Sequence, residues 1–405
     1  MRMNVSRFLR TAAVLSVCAL PALPVRAQTF HVYDLGTLGG VASNASAINN
    51  NGQVVGWSSI TPLPILSILT HAFRHNGTGP LVTSTDDLGT LGGFSSYAYA
   101  INSQGTVVGS AMDLNGNFEA FHHVGPGKMN PANVTRNSVV VHDDYGDLGE
   151  GAGLPGDGYA VAAGINDSDT FVGYSSFPSD FMYAFRHLTG QGTLFNRLLY
   201  IIDLNGGQSY AYGINNGGGL NNSGIVVGMA QPNEHTADFH AMDATETNYS
   251  MWSDMGTMGG ANSCALAIND NNITVGWSET PVGHNVRNAF KHTPPANQNV
   301  AMFGVGKLNN STDNLGTLGG LNSESHAINI NNVVVGQSDV VSGGTHAFFY
   351  TTQMFDLNNY LDAASSGWIL TQANGINDSN TIVGQGIING EYHAFVAVLN
   401  HSHGS

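Results

Sequence analysis

The stretch Ala47-Ile48-Asn49-Asn50-Asn51-Gly52-Gln53-Val54-Val55-Gly56 decides the fold, because its frame returns six more times along the chain. In every copy an Asn preceded by Ile or Leu is followed seven residues later by Gly. The Asn positions are Asn49, Asn102, Asn166, Asn221, Asn269, Asn329 and Asn377, and their partners are Gly56, Gly109, Gly173, Gly228, Gly276, Gly336 and Gly384. The offset is fixed, whereas copies stand 48 to 64 residues apart. A rigid unit inside a variable period is what a tight hairpin between variable loops produces. Three residues after each Asn comes Gly52, Gly105, Asp169, Gly224, Asn272, Asn332 or Asn380. These are the residue types that best tolerate a left-handed backbone, so each unit is read as a short β-hairpin closed by a left-handed residue. In the fourth unit Gly213-Ile214-Asn215 reads as a false start, with Gly219-Leu220-Asn221 restoring the spacing.

Two further strands follow each hairpin. The third carries an Ala before an aromatic or Met, from Ala72-Phe73 through Ala241-Met242 to Ala394-Phe395. The fourth ends in Asp-Leu-Gly or a variant: Asp87-Leu88-Gly89, Asp147-Leu148-Gly149, Asp203-Leu204-Asn205, Asp254-Met255-Gly256, Asn314-Leu315-Gly316 and Asp356-Leu357-Asn358. That makes six copies for seven units, and the seventh, Asp34-Leu35-Gly36, sits at the other end of the chain. A unit split between the two ends fastens a ring and removes the exposed edges of an open array. The expected fold is all-β: a seven-bladed β-propeller of four-stranded antiparallel blades, closed by the N-terminal strand pairing with the last blade. A parallel β-helix has no reason to split a unit. The first strand of each blade is expected to line the central channel, with alternating alanines such as Ala45 and Ala47, Ala98 and Ala100, or Ala265 and Ala267. The loops after each hairpin Gly and the Gly-Gly segments after each Asp-Leu-Gly should share one face. Any binding site is expected on that face or at the channel mouth.

Arg2, Arg7 and Arg10 precede an uncharged apolar run from Thr11 to Leu23, and Val25-Arg26-Ala27 ends in a small-residue cleavage site. This reads as a secretory signal of residues 1–27, cut after Ala27, followed by one propeller domain over 28–400 and a tail over 401–405. The apolar run is shorter than the roughly 20 residues that span a bilayer, so no transmembrane segment is expected. A lipidated Cys18 is disfavoured by Val17 before it. Without the signal a single thiol, Cys264, remains, and no internal disulfide can form. The four arginines Arg2, Arg7, Arg10 and Arg26 leave with the signal, so eight basic residues face 28 acidic ones, a net charge of −20. Such a surface repels phosphate backbones, and nucleic acid is not an expected partner. The protein is expected in the periplasm or outside the cell, as a monomer.

His71-Ala72-Phe73, His346-Ala347-Phe348 and His393-Ala394-Phe395, together with the Asp-Leu-Gly-Thr-Leu-Gly-Gly stretches at Asp34 to Gly40 and Asp87 to Gly93, resemble the probable extracellular repeat family named HAF for its His-Ala-Phe tripeptide. The resemblance covers nearly all of the chain beyond the signal. It departs where Glu119, Tyr183 and Asn288 replace the His. It implies a bacterial extracytoplasmic protein and brings no established activity with it.

Residues present in every unit hold the unit together, because a catalytic site needs one set of groups in one place. The seven Asn and the Asp of Asp-Leu-Gly are therefore read as turn partners, and His75, His123, His187 and His292 as structural positions on the third strand. Two clusters break the repeat. In Glu234-His235-Thr236-Ala237-Asp238-Phe239-His240, Asp238 and His240 are expected on one face of a strand with Glu234 and His235 in the adjoining loop; the other is His142-Asp143-Asp144-Tyr145. If the protein is an enzyme, Glu234, His235, Asp238 and His240 are the acid/base candidates. If it takes a divalent cation, His235, Asp238 and His240 are the ligand candidates. Neither cluster has a recognised ligand spacing, so a solvated loop is the preferred reading and no cofactor is predicted. EF-hand loops, nucleophile elbows and phosphate loops are absent from the sequence. The functional expectation is an exported, non-catalytic binding or surface-interaction scaffold for a glycan or protein. The alternative, from analogy of fold alone, is a secreted polysaccharide-degrading hydrolase or lyase acting at the channel mouth.

Overall fold

The quoted stretch folds as the innermost hairpin of a blade: Ser43–Ile48 runs into a turn and returns as Gln53–Ser59. Thr70–Asn76 and Asp87–Gly89 complete the sheet in chain order. The structure is a computed structural model describing residues 28–62, 69–130, 134–136, 139–141, 143–146, 158–176, 181–188, 200–202, 207–217, 224–232, 236–245, 252–281, 286–296, 298–300 and 304–400. Six more sheets repeat the plan around a ring, making a seven-bladed β-propeller. Their inner strands are Gly92–Ile101, Ala160–Ile165, Ser209–Ile214, Ser263–Ile268, Gly319–Ile328 and Ile369–Ile376, which open blades 2 to 7. In blades 2 and 5 the fourth position shrinks to one bridge, Phe121 with Asp144 and Phe290 with Asn314. Among the described residues no helix is long and apolar enough to cross a membrane.

Every left-handed position expected from the sequence has a positive φ, from 60° at Asn380 to 84° at Gly105. The hairpin Gly has a different cause. A Cβ there would lie 1.8–2.0 Å from a carbonyl oxygen of the inner strand, so only Gly lets the two strands approach. Directly opposite it on the third strand stands the aromatic or Met that follows the Ala, as in Gly56 with Phe73 and Gly384 with Phe395. These phenyl rings are fully buried and cover the glycine backbone, which accounts for the Phe of His-Ala-Phe.

The ring Asn does more than cap its turn. Its Oδ1 accepts backbone N–H groups two and four residues on, as at Asn49 from Asn51 and Gln53. Its Nδ2 donates to the backbone oxygen of the corresponding Asn in the next blade: Asn49 to Asn102, Asn102 to Asn166, and onward until Asn377 donates to Asn49. Seven such bonds of 2.9–3.3 Å close a circle around the axis. This circle corrects the reading of the fourth unit. Asn215, not Asn221, is its member, accepting from Asn166 and donating to Asn269. Gly213-Ile214 ends the inner strand, and the six extra residues enlarge the turn, so Asn215 Oδ1 caps Ile225 instead of its fourth neighbour. Asn221 lies outside the described residues.

The second unit needs a similar correction. Asp144-Tyr145-Gly146 occupies the place read as Asp147-Leu148-Gly149, which lies outside the described residues. The Tyr145 N–H donates to Ala120 O as Leu35 does to Ala394 O, Asp144 caps Gly146 as Asp34 caps Gly36, and Gly146 has a φ of 68°. The pattern was hidden because a Tyr takes the position of Leu.

Closure follows the sequence expectation. Phe30–Asp34 pairs antiparallel with Glu391–Leu399 as the outer strand of blade 7, from Phe30 opposite Leu399 to Asp34 opposite Phe395. Phe30, Val32 and Leu35 are buried there, and His393 Nδ1 donates to Asp34 at 2.9 Å. Hydrogen bonding to Asp34 outweighs burial and raises the His393 pKa. Burial pushes Asp34 up, but His393 and the Gly36 N–H more than offset it, leaving its pKa lowered.

Inside blade 4, Asp243 is fully buried, and burial pushes its carboxyl up to about 7 despite a hydrogen bond from Val305 N–H. A raised His gives stability present below about pH 6.5 that is lost as pH rises through its folded value. A lowered Asp gives stability present above about pH 4 that is lost in acid. A raised Asp adds stability that is lost between about pH 4 and its folded value. All three terms place maximal stability on the mildly acidic side. The melting temperature is therefore expected to be higher at pH 5 than at pH 8. Asp243→Asn, which mimics the protonated acid, should flatten that slope in a pH series of thermal melts, and an unchanged slope would remove Asp243 from the account.

Candidate functional site: the axial cavity

Each of the seven inner strands carries a β-bulge at the same place. In blade 1, Ala45 pairs with Gly56 and Ala47 with Val55, leaving Ser46 unpaired. The same slip occurs in every inner hairpin. A bulge re-aims the extra side chain, and the extra residue is always three before the ring Asn. These residues line the axis, whereas the flanking alanines do not: Ala45, Ala98 and Ala265 are fully buried in the cores between blades. The expectation that the inner strand borders the channel holds. The expectation that its alanines do so is corrected, because the bulge turns them sideways.

The cavity they surround has a volume of about 400 Å³. It lies toward the face that carries the loops after each hairpin Gly and the Gly-Gly segments, which meet in bonds such as Gly40 N–H to Ser59 O. One wall is aromatic. Trp57, Tyr99, Tyr174 and Tyr212 border it. A chain of ring contacts at 5.9–6.4 Å passes from Trp57 through Tyr97, Phe118 and Tyr159 to Tyr174 and Tyr212. Burial pushes the Tyr99 phenol up to about 12 and raises Tyr174 and Tyr212 as well, so all three are neutral donors near neutrality.

The facing wall, from blades 6, 7 and 1, is built of amides and one imidazole. His326 Nδ1 stands 3.1 Å from both Ala373 O and Asn374 Oδ1, two acceptors, so that nitrogen carries a proton. Asn374 Nδ2 in turn donates to Asn44 Oδ1 and Ala45 O. A second tier runs from Gln372 Nε2 to Gln385 Oε1 and from Gln385 Nε2 to Ser43 O. These bonds fix which end of each amide faces the cavity. Glu324, mostly buried, stands beside them, 2.8 Å from Arg287 and 3.6 Å from His326 Nε2. Burial pushes its carboxyl up, but His326 and the Arg287 charge hold it below the usual Glu value, so it is ionised. Aromatic faces opposite oriented polar groups are the ordinary make-up of a small-molecule or oligomer site.

The opposite end of the axis has a smaller cavity of about 240 Å³, lined by the Ile-Asn-x segment of every blade. Its polar groups serve one another. Asp167, Asp270 and Asp378 accept backbone N–H groups from Ser103, Asn216 and Ile330 of the neighbouring blade. That end is a clasp.

The recurrent histidines are structural, as the sequence reading held. His71, His240 and His346 pair through Nδ1 with Asp87, Asp254 and Asp356 at 2.7–3.1 Å. Where blade 5 has Asn288 instead, its partner is Asn314, and the two amides bond at 3.0 Å. His75 and His292 hold Asp86 and Asp313, while His123 lies at ion-pair distance, 3.2 Å, from Asp143. Asp143 and Asp144 of the second cluster therefore belong to the repeat itself, and His142 lies outside the described residues.

In the first cluster, His240 opens the third strand of blade 4 and is taken by Asp254 at 3.1 Å. Asp238 is exposed ahead of that strand instead of within it. Glu234 and His235 lie outside the described residues. Among the described residues no group of three or more His, Cys, Asp or Glu side chains is placed to hold a metal ion. No protein-family model matches the chain, and no curated protein matches its sequence.

The cavity residues are hidden in the sequence because they are not among the positions that repeat. Their signal was the reverse: Ser46, Tyr99, Ala163, Tyr212, Leu266, His326 and Asn374 are the variable residue inside an otherwise constant frame.

Proposed function

We propose that this is an exported binding scaffold, related to the HAF repeat proteins it resembles, that takes a glycan chain in the axial cavity. The observation that carries this reading is the pairing of an aromatic wall with a wall of pre-oriented amides across one cavity on the loop face. Sugar rings present C–H faces that stack on aromatics and hydroxyls that pair with amides. The closing strand begins at Phe30, so cutting after Ala27 leaves the ring intact, which suits an exported protein.

A glycan array should give a defined set of binders, and Tyr212→Ala combined with Trp57→Ala should weaken the best of them by about five- to 150-fold. That pair stands in the aromatic wall, and if a sugar ring packs on each as an aromatic ring would, at roughly 0.5–1.5 kcal/mol a contact, the two together are worth roughly 1–3 kcal/mol. Binding that survives the double replacement would overturn this cavity as the glycan site, and cleavage of the bound polymer in a parallel degradation assay would overturn the non-catalytic reading.

A further inference from the structure

We propose that the axial cavity selects uncharged glycans and that Glu324 sets this selectivity by neutralising Arg287, the one basic side chain among the described residues that stands beside the cavity; this rests on the glycan reading above. Uronate and sulfated sugars draw their strongest recognition from a guanidinium or ammonium free to pair with the anion. The chain beyond the signal has eight basic residues, and six have described side chains. Five of the six are spent elsewhere. Arg74 donates to Gly105 O and Gly125 O, Arg186 to Gly224 O and Lys291 to Asn332 O, each reaching toward a turn of the neighbouring blade. Lys128 pairs with Asp87 and Lys307 with Asp254.

The sixth, Arg287, lies near the cavity wall, 5.1 Å over the Trp277 ring with its guanidinium 2.8 Å from Glu324. Glu324 faces the cation on one side and His326 and Gln337 on the others, so its charge is matched within the protein. An incoming carboxylate would have to displace an already desolvated one, against the net charge of −20 that residues 28–405 carry. An uncharged sugar meets no such opposition. It finds the amides of Asn44, Gln372 and Asn374 on one side and Tyr99, Tyr174 and Tyr212 on the other.

The test is calorimetric titration at 150 mM salt with cellotetraose, xylotetraose and mannotetraose against tetragalacturonate and a sulfated galactan tetramer. The wild type is expected to bind at least one neutral tetramer ten times more tightly than either acidic one. Glu324→Gln frees Arg287, and the ratio of acidic to neutral affinity should then rise at least tenfold. Adding Arg287→Gln should abolish that gain. Wild-type affinity for an acidic tetramer equal to the neutral ones overturns the selectivity, and a folded Glu324→Gln protein with no gain overturns the role of Glu324. Should that variant fail to fold, the wild-type comparison decides alone. Failure to bind any tetramer overturns instead the glycan reading of the cavity on which the selectivity rests.

Discussion

A chain lacking residues 28–36 is expected to lose cooperative unfolding and most of its stability, although only one strand of the ring is missing. The strand Phe30–Asp34 and the Leu35 that follows bury three large apolar side chains in the seams of blade 7, Phe30 and Val32 toward blade 6 and Leu35 toward blade 1. Each such burial is worth roughly 1.5–3 kcal/mol. Together they approach the roughly 5–15 kcal/mol by which whole domains are stable. The same deletion removes the His393 to Asp34 and His31 to Asp362 pairs and the bond from Val32 N–H to Ser365. It also bares the edge of Glu391–Leu399. A synthetic peptide spanning Gln28 to Gly40, added in trans, should restore part of the melting temperature. An unchanged melt in the deletion variant would reject closure by this strand.

The second large effect is expected from Asn269→Asp, a replacement of nearly equal shape. The remaining oxygen can still accept from Asn271 and Ile273 N–H. The new oxygen stands where Nδ2 donated to Asn329 O and Asn332 Oδ1, both at 2.9 Å. Two acceptors then face a third, in a site where Asn269 is buried. Leaving buried polar groups without partners costs roughly 1–3 kcal/mol each, and a buried charge adds to this, so a loss of about 3–6 kcal/mol is expected. Acid should relieve it, because a protonated carboxyl donates again. Denaturant titrations at pH 7 and pH 4 check both points. A loss under about 1 kcal/mol at pH 7 would mean that the Asn circle decorates the axis without clasping it.

What could be read from the sequence was whatever seven copies enforce. The hairpin, its left-handed turn and the split seventh blade are demanded by backbone geometry at Asn49, Gly52 and Gly56 and their counterparts, so the same residue types recur. Where another residue can meet the demand, the reading slipped. Tyr145 fills a Leu position, and a six-residue insertion moved the spacing in blade 4 away from Asn215, whose hydrogen bonds identify it.

The cavity wall was illegible for a further reason. A bulge changes which residues face the axis without changing which residues repeat, so simple alternation assigned the axis to alanines and missed Tyr99, Tyr212, His326 and Asn374. The polar cluster that did stand out, ending at His240, stood out by density alone. Its one strand residue is held by Asp254 in the pair that three other blades share.

The most direct test of the central claim is a crystal structure of the protein soaked with the tightest tetrasaccharide from the titrations. Sugar density is expected in the axial cavity, with one ring stacked on Tyr212 or Trp57 and its hydroxyls within hydrogen-bond reach of Asn374 or Gln372. Density at the Asn-ring end, on the loop before His240, or at the outer edge of blade 6 beside Val341 and Tyr360, with the axial cavity empty, would contradict it.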